Sequence, residues 1–255
     1  MSAANSTVLK WMNVLAFVLT VVVNSLAGGT TLLGGKLTAE ISDANPTLIT
    51  PAGYVFSIWG IIYVLLGIFA VFQALPSQAG KDFHKRVGWL FVLSSLLNIV
   101  WLFLWQYDYL SLSVVVMFLL LATLIAIYLR LNIGKSKAAL SEKTAVHVPF
   151  SVYLGWITIA TIADVSVTLV SLVWDGFGIS QETWAILVIV IALLITLLVV
   201  ATRKDIAYGL VIIWALLGIA VKQSGNQSVV MATESGAVII AIALAVSILV
   251  SRLRR

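Results

Sequence analysis

The stretch PAGYVFSIWGIIYVLLGIFAVFQALP, residues 51–76, holds no charged side chain and is bounded by a proline at each end. About 20 apolar residues suffice to cross a hydrocarbon core, so residues 52–75 read as a membrane-spanning helix that Leu75-Pro76 terminates. Seven further stretches have the same character: roughly 10–28, 87–106, 110–130, 148–173, 184–202, 206–222 and 233–251. The expected fold is therefore an all-α integral membrane protein with eight transmembrane helices. Apolar residues make up 62% of the chain and charged residues 10%, against a soluble norm of roughly 45–50% and about 25%. With no loop longer than about 25 residues, no soluble domain fits between the spans.

Charge orients the spans. Lys10, Lys81, Lys85, Arg86, Arg130, Lys135, Lys137, Lys143, Arg203, Lys204, Arg252, Arg254 and Arg255 fall on one side of the eight-span arrangement, and only Lys36 and Lys222 on the other. The positive-inside rule then places both termini in the cytoplasm and predicts a multi-pass protein of the cell membrane. The first apolar run, residues 11–26, is long for a signal core and fits the charge pattern when retained, so it is expected to stay in the protein. The net charge of +5 is spread over five segments, which suits insertion and anionic headgroups rather than a nucleic-acid partner.

Several chemistries are excluded. The chain has no cysteine and two histidines, His84 and His147, both at loop edges, so neither a thiolate site nor a buried imidazole metal cluster is expected. No phosphate-binding loop, nucleophile elbow, zinc-protease or dinucleotide motif occurs. Lys222 stands at a helix end with another helix after it, which is not the place of a retinal lysine. No catalytic and no metal-ligating residues are expected.

Polar groups inside a span are costly and carry the functional signal. Asn13, Thr20 and Asn24 share a face of the first span, Phe56, Trp59 and Tyr63 of the second, and Ser94, Asn98, Trp101 and Trp105 of the third. The fifth carries Tyr153, Trp156, Ala160 and Asp164 on one stripe and Thr161, Asp164, Thr168 and Ser171 on another. At about 1.5 Å per residue, Asn24 lies ~6 Å below the outer surface, Trp59 and Asn98 ~12 Å, Asp164 ~14 Å and Trp156 ~25 Å. This layering predicts an outward-opening, aromatic-lined cavity under the longest outer loop, residues 28–50, acting as a lid. Trp11, Trp89, Trp105, Trp174 and Trp184 are expected in the interfacial aromatic belts. Asp164 either holds a ligand or proton, or pairs with Lys222 to tie later helices to the core.

Residues Thr50, Pro51, Ala52, Gly53, Tyr54, Val55, Phe56, Trp59 and Tyr63, then Leu97, Asn98 and Trp101, then Tyr153, Leu154, Trp156, Ala160 and Thr161 resemble the signatures of the TspO/MBR family. These tryptophan-rich sensory proteins include the mitochondrial translocator protein. Ala52 stands where the family has a second proline, and Asp164 where it usually has asparagine. The resemblance covers residues 1–175 as a five-helix bundle, with residues 176–255 as a three-helix C-terminal extension. It implies no covalent cofactor and a porphyrin- or heme-like ligand, held by Asn24, Pro51, Gly53, Phe56, Trp59, Tyr63, Asn98, Trp101, Tyr153, Trp156 and Asp164. The leading expectation is a non-catalytic binding or sensory protein for a planar hydrophobic molecule, able to move it across or within the membrane. The rival readings are a small-solute or proton-coupled transporter using Asp164, and a structural subunit. In the last case the added helices would meet a second copy or another membrane protein.

Overall fold

Long apolar runs with few breakers propagate as helices, and a computed structural model, describing residues 3–253, is helical in all its regular structure. The helices are α1 (Ala3–Gly29), α2 (Thr38–Ala44), α3 (Ile58–Ala74), α4 (Asp82–Val87), α5 (Leu90–Gln106), α6 (Leu110–Leu131), α7 (Leu140–Glu142), α8 (Val148–Ser171), α9 (Gln181–Arg203), α10 (Ile206–Lys222) and α11 (Gln227–Leu253). A 3₁₀ turn, Gly53–Ser57, leads into α3, and a π-turn, Lys143–His147, joins α7 to α8. The wide turn lies just before Pro149, which has no N–H to continue a regular ladder.

Among the described residues, six helical segments are long and apolar enough to cross a membrane: Thr7–Gly29, Gly53–Ala74, Leu110–Leu131, Leu140–Ser171, Gln181–Arg203 and Gln227–Leu253. The other two apolar stretches, Leu90–Gln106 and Ile206–Lys222, are helices of 17 residues. All eight stretches are thus helical, with two at the short end for a span.

The chain divides into two units, residues 1–43 with 59–154, and residues 44–58 with 155–255. In the first, α5 packs along α1 and α6, and α4 against α6. The α5–α6 turn is as tight as its three linking residues demand: Asp108 takes φ 60° and the Tyr109 N–H donates to the Leu104 carbonyl at 2.8 Å. Phe69, Phe91 and Phe150 meet edge to face at 5.0–6.0 Å and fill the core. Asn13 Nδ2 donates to Gln73 Oε1 at 3.1 Å, and Gln73 Nε2 to the Lys10 carbonyl at 3.0 Å, so one buried amide ties α1 to α3 twice.

In the second unit α9, α10 and α11 pack against one another. Ser180 caps α9 through Thr183 N, and Asp205 caps α10 through Tyr208 N. Small residues let backbones approach, as is usual between helices in lipid. Gly155 lies against Val211 and the Tyr208 carbonyl, Gly209 against Leu244, and Gly236 against Leu216. Leu187, Ile191, Leu194 and Leu198 of α9 and Val238, Ile242, Val246 and Leu249 of α11 are exposed. Such continuous apolar faces suit acyl chains rather than water.

Segment 44–58 belongs to this unit because α10 holds it. Ala52 N donates to the Gly218 carbonyl at 3.0 Å, Trp214 Nε1 to the Val55 carbonyl at 3.1 Å, and Gln223 Nε2 to the Thr47 carbonyl at 3.0 Å. A Cβ at Gly218 would overlap the Val55 side chain, so glycine is what admits this approach.

Candidate functional site

Trp59 is the hub of the first unit's aromatic cluster. Its ring stacks on Tyr63 (5.6 Å, 18° between planes) and on Trp101 (6.4 Å, 28°), and meets Tyr153 edge-on at 6.1 Å. Trp101 stacks in turn on Trp105 (5.8 Å, 29°). The four-residue spacings 59–63 and 101–105 put each pair one helical turn apart, so α3 and α5 each present two rings on a common stripe. The result is a ladder, Tyr63–Trp59–Trp101–Trp105. Trp101, Trp105 and Tyr153 are buried, whereas Trp59 and Tyr63 are only half-buried.

Polar groups accompany the ladder. Asn98, fully buried on α5, accepts from Asn24 Nδ2 at 2.7 Å, and Asn24 Nδ2 also reaches the Thr20 carbonyl at 2.9 Å. The Asn98 amide acts on the Tyr153 hydroxyl as a hydrogen-bonding neighbour. Its Nδ2 reaches no partner at full hydrogen-bond geometry.

The loop after α1 is laced to the end of α5. Gln106 Nε2 lies 3.0–3.3 Å from the carbonyls of Ala27, Leu33 and Lys36, and Trp105 Nε1 donates to the Thr38 carbonyl at 3.1 Å. Lys36 Nζ pairs with Asp108 at 2.8 Å on the surface. Gly34, at φ +69°, sits so close to the Gln106 carbonyl that a Cβ would overlap it. Trp105, expected at the interface, is instead 5% exposed and an anchor of this loop. Its position next to Gln106 and one turn from Trp101 was the available signal. The backbone acceptors were not readable from sequence. Trp11 and Trp89 do lie exposed, while Trp174 and Trp184 pack on each other at 5.3 Å.

Asn24, Trp59, Tyr63, Asn98, Trp101 and Tyr153 therefore come together in the first unit. The other candidates lie in the second. Phe56 meets Trp156 edge to face at 5.9 Å, and Trp156 is 2% exposed. Pro51 is buried beside Gly218, and Gly53 opens the 3₁₀ turn with space around it. Asp164, 2% exposed, stands two turns beyond Trp156 on α8. Trp214, Gly218 and Gln223, which hold segment 47–55, were missed because sequence spacing does not reveal which backbone a later helix grips.

A family model described as TSPO-like protein matches residues 10–250. The chain belongs to the TSPO-like protein family. Membership and the apolar helices make it a multi-pass membrane protein. The family match runs through α9, α10 and all but the end of α11, so the later helices are included in it. No curated protein and no solved structure matches the chain.

Proposed function

We infer that this TSPO-like protein binds a planar hydrophobic molecule of tetrapyrrole type on the half-buried faces of Trp59 and Tyr63. The observation that carries this reading is the stacked ladder with Asn98 beside it. Flat indole and phenol faces suit a flat π system, and the carboxamides of Asn24 and Asn98 suit a polar edge on the same molecule. The loop laced to Trp105 and Gln106 would act as the lid. The protein has eight spans with both termini in the cytoplasm of a cell-membrane protein. No covalent cofactor is involved, and the work is binding or sensing, with movement of the ligand within the membrane as its extension. Protoporphyrin titrated into the purified chain should quench tryptophan fluorescence saturably in the wild type and more weakly in Trp59→Phe. Equal quenching in both would remove the ladder from the reading.

Asp164 supports a second reading, proton-coupled transport, because a carboxyl group 2% exposed in an apolar helix is costly unless neutralised or partnered. Vesicle uptake driven by a pH gradient in the wild type and absent in Asp164→Asn would favour it. Topology is separable from both: the chain has no native cysteine, and Leu32 and Leu140 are strongly exposed. A cysteine at position 32 should label from outside and one at 140 only after permeabilisation. The reverse pattern would overturn the orientation.

A further inference from the structure

Where the α9–α10 connection meets the last turns of α11, an open notch of about 200 Å³ is lined by Lys204, Ile206, Ser247, Ile248, Ser251 and Arg252. We propose that this notch is a phosphate-binding site, taking the headgroup of an anionic membrane lipid or a free phosphate of the same chemistry. Lys204 and Arg252 both line it, and among the described residues no acid does. The neighbouring carboxylate of Asp205 is buried and accepts from Tyr208 N at 3.1 Å. Like charges brought into one notch repel, and an anion between them removes that cost.

Each lining group has a place in such a complex. Lys204 ends α9 in the left-handed conformation, φ 55°, with its N–H bonded to the Val200 carbonyl at 2.9 Å, so the stem of the side chain starts from a fixed point. The Arg252 guanidinium offers a planar fork that fits two phosphate oxygens, and the lysine offers a point charge. Ser251 Oγ donates to the Ser247 carbonyl at 2.7 Å, which leaves its oxygen as an acceptor and the cations as the donors. Ile206 and Ile248 form the apolar wall on which glycerol and the first acyl carbons would lie. At about 30 Å³ per water the volume equals roughly six or seven waters, enough for a phosphate and part of its glycerol. Basic notches between helices at a membrane face suit headgroups of this kind.

The test uses the full chain in zwitterionic nanodiscs, with native mass spectrometry and thermal unfolding as readouts. Phosphatidylglycerol, phosphatidylcholine and inorganic phosphate are added separately to the wild type, to K204Q/R252Q and to K81Q/K85Q, which loses the same charge elsewhere. The expected result is a phosphatidylglycerol adduct and a stability increase in the wild type and K81Q/K85Q. Both should weaken about tenfold or more in K204Q/R252Q. Inorganic phosphate that reproduces the shift and displaces the lipid would support the same site with a free anion as its occupant. Equal loss in both double variants, or equal retention of phosphatidylcholine by all three proteins, would overturn the proposal. Lys204 and Arg252 are exposed, so K204Q/R252Q removes charge without disturbing the core, and K204R/R252K should restore binding.

Discussion

Asn24 on α1 donates to Asn98 on α5 at 2.7 Å, a side-chain hydrogen bond between residues 74 apart in the chain and set next to the aromatic ladder. It fixes the face of α1 against the helix that carries Trp101 and Trp105. Interhelical hydrogen bonds of this kind contribute about 0.6–2 kcal/mol in membranes. Asn98→Ala should therefore lower thermal stability by an amount in that range and weaken protoporphyrin binding. Asn24→Ala should cost similar stability with the smaller effect on binding. Equal binding losses in the two variants would show that Asn98 acts only through packing.

Trp59 has ring neighbours in Tyr63, Trp101 and Tyr153. Its replacement by Phe keeps an aromatic plane but removes the indole overlap. With ring pairs worth about 0.5–1.5 kcal/mol each, porphyrin affinity should fall roughly 3- to 10-fold while the chain stays folded. Fluorescence titration beside circular dichroism in detergent separates the two effects.

Gly34 combines a positive φ with a close approach to the Gln106 carbonyl. Gly34→Ala should push the loop off α5, at a cost of about 1–3 kcal/mol to the docked state. Hydrogen exchange across residues 30–45 should rise selectively. Uniform exchange across the chain would mean that the loop tolerates the methyl group.

Gly218 has a different partner, the Val55 side chain, and its carbonyl accepts from Ala52 N. Gly218→Val should displace segment 47–55 from α10 and destabilise the second unit by about 1–3 kcal/mol, as overpacking does. Limited proteolysis between residues 44 and 58 reads this directly. An unchanged cleavage pattern would show that the segment is held by Trp214 and Gln223 alone.

His84, in the short helix α4, has its pKa held below the ordinary histidine value. Burial is the main cause; the hydrogen bond to the Gln78 carbonyl opposes it and the Lys10 charge adds to it. The unfolded chain thus binds the proton more readily than the folded one. Its contribution to stability is full above the unfolded value of about 6.5 and is lost as pH falls through the lower folded value. Wild-type thermal stability should drop over that acidic window, and His84→Gln should flatten the drop.

Sequence alone determined the solvent of this protein. Runs such as residues 52–75 have no charge to place in water, so helices in lipid are the available solution. Helical periodicity likewise put Trp59 above Tyr63 and Trp101 above Trp105, because one turn separates each pair whatever the neighbours do. The stacking of Trp59 on Trp101 is another matter. It depends on the packing of α3 and α5, which periodicity does not specify. Gln106 shows the same division. Its place after Trp105 is written in the chain, but its three backbone acceptors come from the end of α1 and the loop after it, about 70 to 80 residues earlier. Carbonyl acceptors are common to every residue and carry no signature of type, so only the tertiary structure selects among them. For the same reason the gripping of segment 47–55 by Trp214, Gly218 and Gln223 was decided by how closely two backbones could approach, a property of packed helices and not of either sequence segment by itself.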